Sequence, residues 1–135
     1  MQKILIIKQQ FLFKHQLMDL QYKDECKLHK HESLIELAVS NQINSDYNAA
    51  LLTIDWAEPV LVKILESVID PINNKHIISD KFDSSKNKYI IKPYILTSHT
   101  NILEYIFNKL KEHITCHYEV SLILNSKIKY CISTR

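Results

Sequence analysis

The chain has 135 residues and a formal net charge of +2, which suits one hydrophobic core and is too weak a charge to indicate nucleic-acid binding by itself. It contains no glycine, so a glycine-rich phosphate loop and a dinucleotide-binding fingerprint are both excluded. No apolar run approaches the ~20 residues of a membrane-spanning helix, and ILII at the start is shorter than the core of a signal peptide, about 7–15 residues. We therefore expect a cytoplasmic protein.

The missing glycines and the three cysteines add two further expectations. Asparagine must take the positive-φ positions that glycine usually fills, and the pairs Asn73-Asn74 and Asn125-Ser126 can do so. Cys26, Cys116 and Cys131 show no CxxC spacing, which is typical of free thiols in a reducing compartment.

The predicted elements alternate between strands and helices up to residue 114. Continuous apolar runs and short alternating segments predict strands at 4–7, 25–31 (a weak edge strand), 49–54, 76–79 and 89–91. Helical spacing of apolar residues predicts helices at 11–22, 32–42, 58–69 and 98–114. Such alternation is typical of an α/β fold with a doubly wound parallel sheet.

The last part of the chain follows a different pattern. Residues 120–124 and 128–132 alternate between apolar and polar around Asn125-Ser126, which predicts a β-hairpin. We therefore divide the chain into an α/β domain at 1–114 and a C-terminal β-hairpin extension at 115–135.

Several short motifs occur in an order that resembles a known family. The first predicted strand ends in Lys8-Gln9, the third in Asp55, the fourth in Ser79 and the fifth in Lys92-Pro93, and the first helix begins with Leu12-Phe13-Lys14. This order resembles the receiver domain of bacterial response regulators, which has a CheY-like (flavodoxin-like) fold. In that family the first strand ends in two acidic residues that hold Mg²⁺, and the third ends in the phosphorylated aspartate.

The resemblance implies a degenerate receiver domain, because Lys8 and Gln9 stand where the family has its two acids. The relic phosphoacceptor pocket would comprise Lys8, Gln9, Asp55, Ser79 and Lys92. Such a domain would act through protein–protein interaction, with a protein partner or as a homodimer. It would not be an enzyme and would need no cofactor. The alternative for Asp55 is that it caps the helix predicted at 58–69 by accepting backbone N–H bonds.

Two groups of potential zinc ligands occur close together in the chain: Cys26, His29 and His31, and His113, Cys116 and His117. Strand alternation would turn Cys26 away from His29 and His31. In the second group, His113 and His117 would share a helical face only if the last helix extended that far. We therefore expect scattered surface histidines and no metal site.

A second function is a small nucleic-acid-binding module formed by the last helix and the hairpin. The residues that would make the contacts are Lys109, Lys111, Lys127, Lys129 and Arg135. The simpler interpretation is a solvated hairpin that extends the sheet or pairs with a second subunit. An enzyme of another α/β family would need a pocket of convergent polar groups, for which the sequence has no motif. Expected partners are thus a protein or a second copy, with nucleic acid as the alternative, and no membrane.

Overall fold

The protein is described by a computed structural model over residues 3–15, 29–41, 54–78, 88–91, 97–114 and 116–134. The strands are β1 (Lys3–His15), β2 (His29–Asn41), β3 (Lys75–Ile78), β4 (Lys88–Ile90), β5 (Tyr118–Leu124) and β6 (Ile128–Ser133). The helices are α1 (Ile54–Ile69) and α2 (His99–Lys111). Neither described helix is long and apolar enough to cross a membrane.

The six strands form one mixed sheet in the order β4-β3-β1-β2-β5-β6. The pairs β1–β2, β2–β5 and β5–β6 are antiparallel, whereas β3 runs parallel to both β1 and β4. The predicted doubly wound parallel sheet is therefore wrong, because most of the ladder is built from antiparallel neighbours. The predicted C-terminal hairpin is confirmed, and it joins this sheet through β5. The division of the chain at residue 114 stays a prediction.

The largest error concerns β1 and β2, whose described parts include segments predicted as helices at 11–22 and 32–42. In β1, Phe11 and Phe13 are buried, whereas Leu12 between them is only partly covered. In β2, Ile35 and Leu37 are buried and Leu34 is exposed. This period of two is that of a half-buried strand. Apolar residues on both sides of the pleat created the apparent helical stripe.

Other predicted elements fare better. The helices predicted at 58–69 and 98–114 are confirmed as α1 and α2, with α1 beginning earlier and α2 ending earlier. The strands predicted at 76–79 and 89–91 correspond to β3 and β4. The edge strand at 25–31 overlaps β2 only at 29–31, and its other residues lie outside the described ranges. The strand predicted at 49–54 also lies outside them, apart from Ile54, which begins α1.

Asparagine replaces glycine at the turns, as predicted. Asn74 has φ 60° and Asn125 has φ 41°. The N–H of Asn74 donates to the carbonyl of Leu12 over 2.6 Å, and the N–H of Leu12 donates to Asn73 Oδ1 over 2.9 Å. These two bonds tie the loop after α1 to the C-terminal part of β1, so the asparagine pair also orients the chain entering β3.

The core lies on one face of the sheet, which both helices cover. Its side chains come from the strands β1, β2, β3 and β5 and from the inner faces of the two helices. They include Phe11, Phe13, Ile35, Leu37, Leu65, Ile69, Ile77, Ile102, Ile106, Leu110, Val120 and Leu122. The opposite face of the β1–β2 pair carries exposed side chains. Cys116 and Cys131 are free and exposed, as predicted for these thiols, whereas Cys26 lies outside the described residues.

Candidate metal centre

Four histidines meet at one end of the core face of the sheet. His15 ends β1 and pairs directly with His29, the first residue of β2. His31 lies two residues further along β2 on the same face. His99 begins α2, and its ring lies beside those of His15 and His31 at this end of the strand pair. The ring centroid of His15 lies 4.3 Å from that of His29, 4.8 Å from that of His31 and 4.6 Å from that of His99.

The ring nitrogens of three of these histidines converge. One nitrogen each of His15, His31 and His99 lies within 4.8 Å of the others, and Nε2 of His99 is 3.1 Å from Nε2 of His31. Nitrogens bound to a tetrahedral zinc ion at ~2.0–2.1 Å lie about 3.3 Å apart. The two nitrogens are at hydrogen-bond distance from each other, and their separation is also close to that of two ligands on one ion.

His15 is held in the tautomer that a metal ligand requires. Its Nδ1 lies 2.6 Å from the carbonyl oxygen of Thr97, so Nδ1–H donates and Nε2 carries the lone pair. Nε2 is buried and has no hydrogen-bond partner among the described residues. A backbone carbonyl that fixes the second ring nitrogen is the usual support of a metal-bound histidine. A buried acceptor without a donor is costly, and a cation would satisfy it.

Burial lowers the pKa of two histidines of the cluster, His15 and His99. Desolvation is the main cause that lowers the pKa of His15 to about 3, and the neighbouring His99 lowers it further, although the Thr97 carbonyl opposes the shift. Desolvation also lowers the pKa of His99 to about 4, helped by His31 and His29. Both rings are therefore neutral at neutral pH, which is the form that binds a transition metal.

The metal-free protein is expected to lose stability as the pH falls below about 6.5. In the unfolded chain His15 takes up a proton near that pH, whereas in the folded protein it stays neutral until about pH 3. The unfolded state binds more protons throughout this window, so acid favours unfolding, by up to about 1.4 kcal/mol per pH unit for this residue. Urea unfolding of chelator-treated protein between about pH 7 and pH 5 would measure the slope.

The matched variants for this pH dependence are His15→Gln, whose amide can still donate to Thr97, and His113→Ala at an exposed site. His15→Gln should make the free energy of unfolding depend less on pH. His113→Ala should show the same pH dependence as the wild type. An equal slope in the wild type and His15→Gln would contradict the assignment.

Phe13 borders the histidine cluster with an apolar aromatic ring. Its side chain is 1% exposed, and its ring centroid lies 5.3 Å from those of His15 and His31 and 6.1 Å from that of His99. The ring keeps water away from this side of the imidazoles. The lower local dielectric constant strengthens the attraction between a cation and its ligands.

The structure brings together only some members of the two groups of potential zinc ligands that were noted in the sequence. His29 and His31 do share one face, as strand alternation predicted, whereas Cys26 lies outside the described residues. His113 and His117 do not share a helical face, because α2 ends at Lys111. His117 contacts the hydroxyl of Thr134 over 2.7 Å.

Sequence reasoning missed His15 and His99. Had residues 11–15 been recognised as a strand, alternation would have placed His15 on the same face as Phe11 and Phe13. Nothing local in the sequence points to His99, which lies 68 residues after its partner His31.

The predicted phosphoacceptor residues that the structure describes, Lys8, Gln9 and Asp55, occupy unrelated positions. Lys8 is exposed in the middle of β1, opposite Glu36. Gln9 faces the other side of the sheet, where its Nε2 donates to Asp70 Oδ1 over 3.1 Å. Asp55 belongs to the first turn of α1, which begins before residue 58. Two further predicted pocket residues lie outside the described ranges, Ser79 and Lys92.

The lysines among the predicted nucleic-acid contacts, all of them in described parts of the chain, do not form one basic surface. Lys109 and Lys111 end α2, on the helical side of the sheet, and Lys109 lies 4.0 Å from Glu112. Lys129 extends from β6 on the other side, where its Nζ is 3.3 Å from Glu36 Oε1. Lys127 is in the turn between β5 and β6, and Arg135 lies outside the described residues. The structure gives no support to a nucleic-acid-binding module.

Comparison with known proteins gives similarity in structure only. No family model matches the chain, and no curated protein matches it. The 6-pyruvoyl tetrahydropterin synthase of Plasmodium vivax superposes with a TM-score of 0.75 at 15% identity, covering 100% of this chain and 99% of that one. The Plasmodium falciparum synthase gives 0.71 at 15% identity, covering 98% of both chains. The Caenorhabditis elegans synthase gives 0.67 at 13%, covering 99% and 96%.

These similarities correct the earlier expectations. The resemblance to a response-regulator receiver domain is wrong, and with it the signalling function and the interaction module without phosphotransfer. The expectation that the chain is not an enzyme is corrected as well, because the similar structures are named as synthases. The mixed sheet with its two helices has the fold of 6-pyruvoyl tetrahydropterin synthase.

Proposed function

We propose that the protein is a zinc-dependent enzyme that acts on a reduced pterin or a similar small heterocycle. The observation that carries this proposal is the convergence of ring nitrogens from His15, His31 and His99 within 4.8 Å. The substrate class is supported by the names of the proteins that share the fold over nearly their whole length.

The histidine cluster provides the ligands. His15 and His31 belong to any set of ligands that these rings can form, and His29 and His99 flank them. Nitrogen ligands in this number suit Zn²⁺. When bound, a zinc ion supplies Lewis acidity that polarises an oxygen of the substrate.

The chain's own residues prepare the site. The Thr97 carbonyl fixes Nδ1 of His15 and leaves the lone pair on Nε2 for a metal ion. Phe13 keeps water away from the buried side. Because burial keeps His15 and His99 neutral, no proton has to leave either ring when the ion binds.

A second copy of the chain is the partner that fits this proposal best. The face of the β1–β2 pair away from the helices carries exposed apolar side chains, with Ile4 55%, Ile6 52% and Leu34 39% exposed. Apolar side chains on an uncovered sheet face favour association. A homodimer or another protein partner, like the cytoplasmic location, stays a prediction.

The test of the enzymatic proposal is a panel of reduced pterins that differ in the side chain at C6. Zinc-loaded full-length protein would be mixed with each compound, with binding followed by fluorescence and turnover by mass spectrometry. We expect at least one compound to bind and be converted by the wild type and by His113→Ala, but not by His31→Ala. A zinc-loaded wild type that neither binds nor converts any reduced pterin would refute the substrate class.

A further inference from the structure

His99 is placed differently from the other three histidines. His15, His29 and His31 lie on two strands that pair along their full length. His99 is the first residue of α2, directly after the N-cap Ser98. The residue before that cap, Thr97, orients His15 through its carbonyl. The start of α2 therefore both supports one ligand and carries another imidazole.

We infer that His99 is a fourth ligand that closes the coordination of the metal in the resting protein. The inference rests on the proposed metal site and deepens it. Zinc sites with four protein ligands are closed, whereas catalytic sites keep one position open. A substrate would therefore reach the metal only after His99 has moved away.

The distances place His99 among the ligands. Its Nε2 is 3.1 Å from Nε2 of His31, and its ring centroid is 4.5 Å from that of His31 and 4.6 Å from that of His15. On the same face of the strand pair, the His29 ring lies 4.3 Å from that of His15 and 4.8 Å from that of His31. His29 and His99 thus flank the same two rings.

The position of His99 allows it to leave without unfolding its helix. The backbone N–H groups in the first turn of a helix have no intrahelical acceptor. The cap is maintained by another contact, in which Ser98 Oγ accepts from the N–H of Asn101 over 3.2 Å. The ring of Tyr130 lies 5.5 Å from that of His99 and offers a second aromatic surface for the displaced imidazole.

The test uses Co²⁺ as a spectroscopic substitute for zinc in the full-length protein. The absorption spectrum of bound Co²⁺ reports the number of ligands, and azide alters it only where a position is open. We expect the wild type and the exposed-site control His113→Ala to bind about one cobalt ion per chain with a spectrum that azide does not change. His99→Ala should bind at least tenfold more weakly and respond to azide. Added imidazole should restore the wild-type spectrum.

The outcomes separate the two levels of the proposal. If the wild type binds no cobalt, the proposed metal site itself is wrong. If the wild type binds cobalt but responds to azide as His99→Ala does, the metal site stands and the fourth-ligand inference is overturned. X-ray absorption of the zinc-loaded wild type tests the same point without a variant, because it counts the imidazoles bound to zinc. Four bound imidazoles support the inference, and three contradict it.

Discussion

Replacing His31 by alanine is expected to abolish the stabilisation of the protein by zinc. With free zinc at about 100 times its dissociation constant, the free energy of unfolding of the wild type should rise by about 2.7 kcal/mol. The variant loses the imidazole that lies closest to His99 and contacts the ring of His15. Its unfolding free energy should therefore not change when zinc is added. Urea unfolding followed by circular dichroism, with zinc and with a chelator, measures both values.

The control for this experiment is His113→Ala, which removes an exposed histidine just after α2. It should gain as much stability from zinc as the wild type does. A gain of the same size in His31→Ala would show that zinc binds elsewhere, and the cluster would lose its role as the metal centre.

Replacing Phe13 by alanine is expected to damage both stability and metal binding. The substitution removes a buried aromatic ring and leaves a cavity, which should lower the free energy of unfolding by about 3–5 kcal/mol. It also removes the aromatic ring that contacts His15 and His31. The imidazoles then lose their fixed orientation, and water reaches the site. The zinc affinity of the folded protein should fall as well. Denaturant unfolding and zinc titration measure the two effects separately.

Phe11 provides the matched control, because it is equally buried and its ring stacks on that of Phe13 at 4.7 Å. Phe11→Ala should cost a similar free energy of unfolding while leaving the zinc affinity near that of the wild type. If either alanine variant does not fold, the pair Phe13→Leu and Phe11→Leu makes the same comparison with a smaller cavity. Equal losses of zinc affinity at both positions would contradict a specific role for Phe13.

The errors of sequence reasoning have a common physical origin. Phe11, Leu12 and Phe13 fit a helical stripe as well as they fit a strand, because a segment with apolar residues on both sides of the pleat satisfies both periods. That ambiguity turned β1 and β2 into helices. It then placed Lys8 and Gln9 at the end of a short strand, where they resembled a modified receiver site.

Local patterns sufficed wherever the deciding interactions are local. They predicted α1, α2 and the hairpin around Asn125, because apolar stripes and a positive-φ asparagine act within a few residues of sequence. They also placed His29 and His31 on one face once a strand was assumed. The sheet order and the meeting of His15 with His99 were decided only by tertiary structure. Those neighbours are brought together by burial of the two helices on one face of the sheet, and no spacing along the chain encodes which buried surfaces will pack against each other.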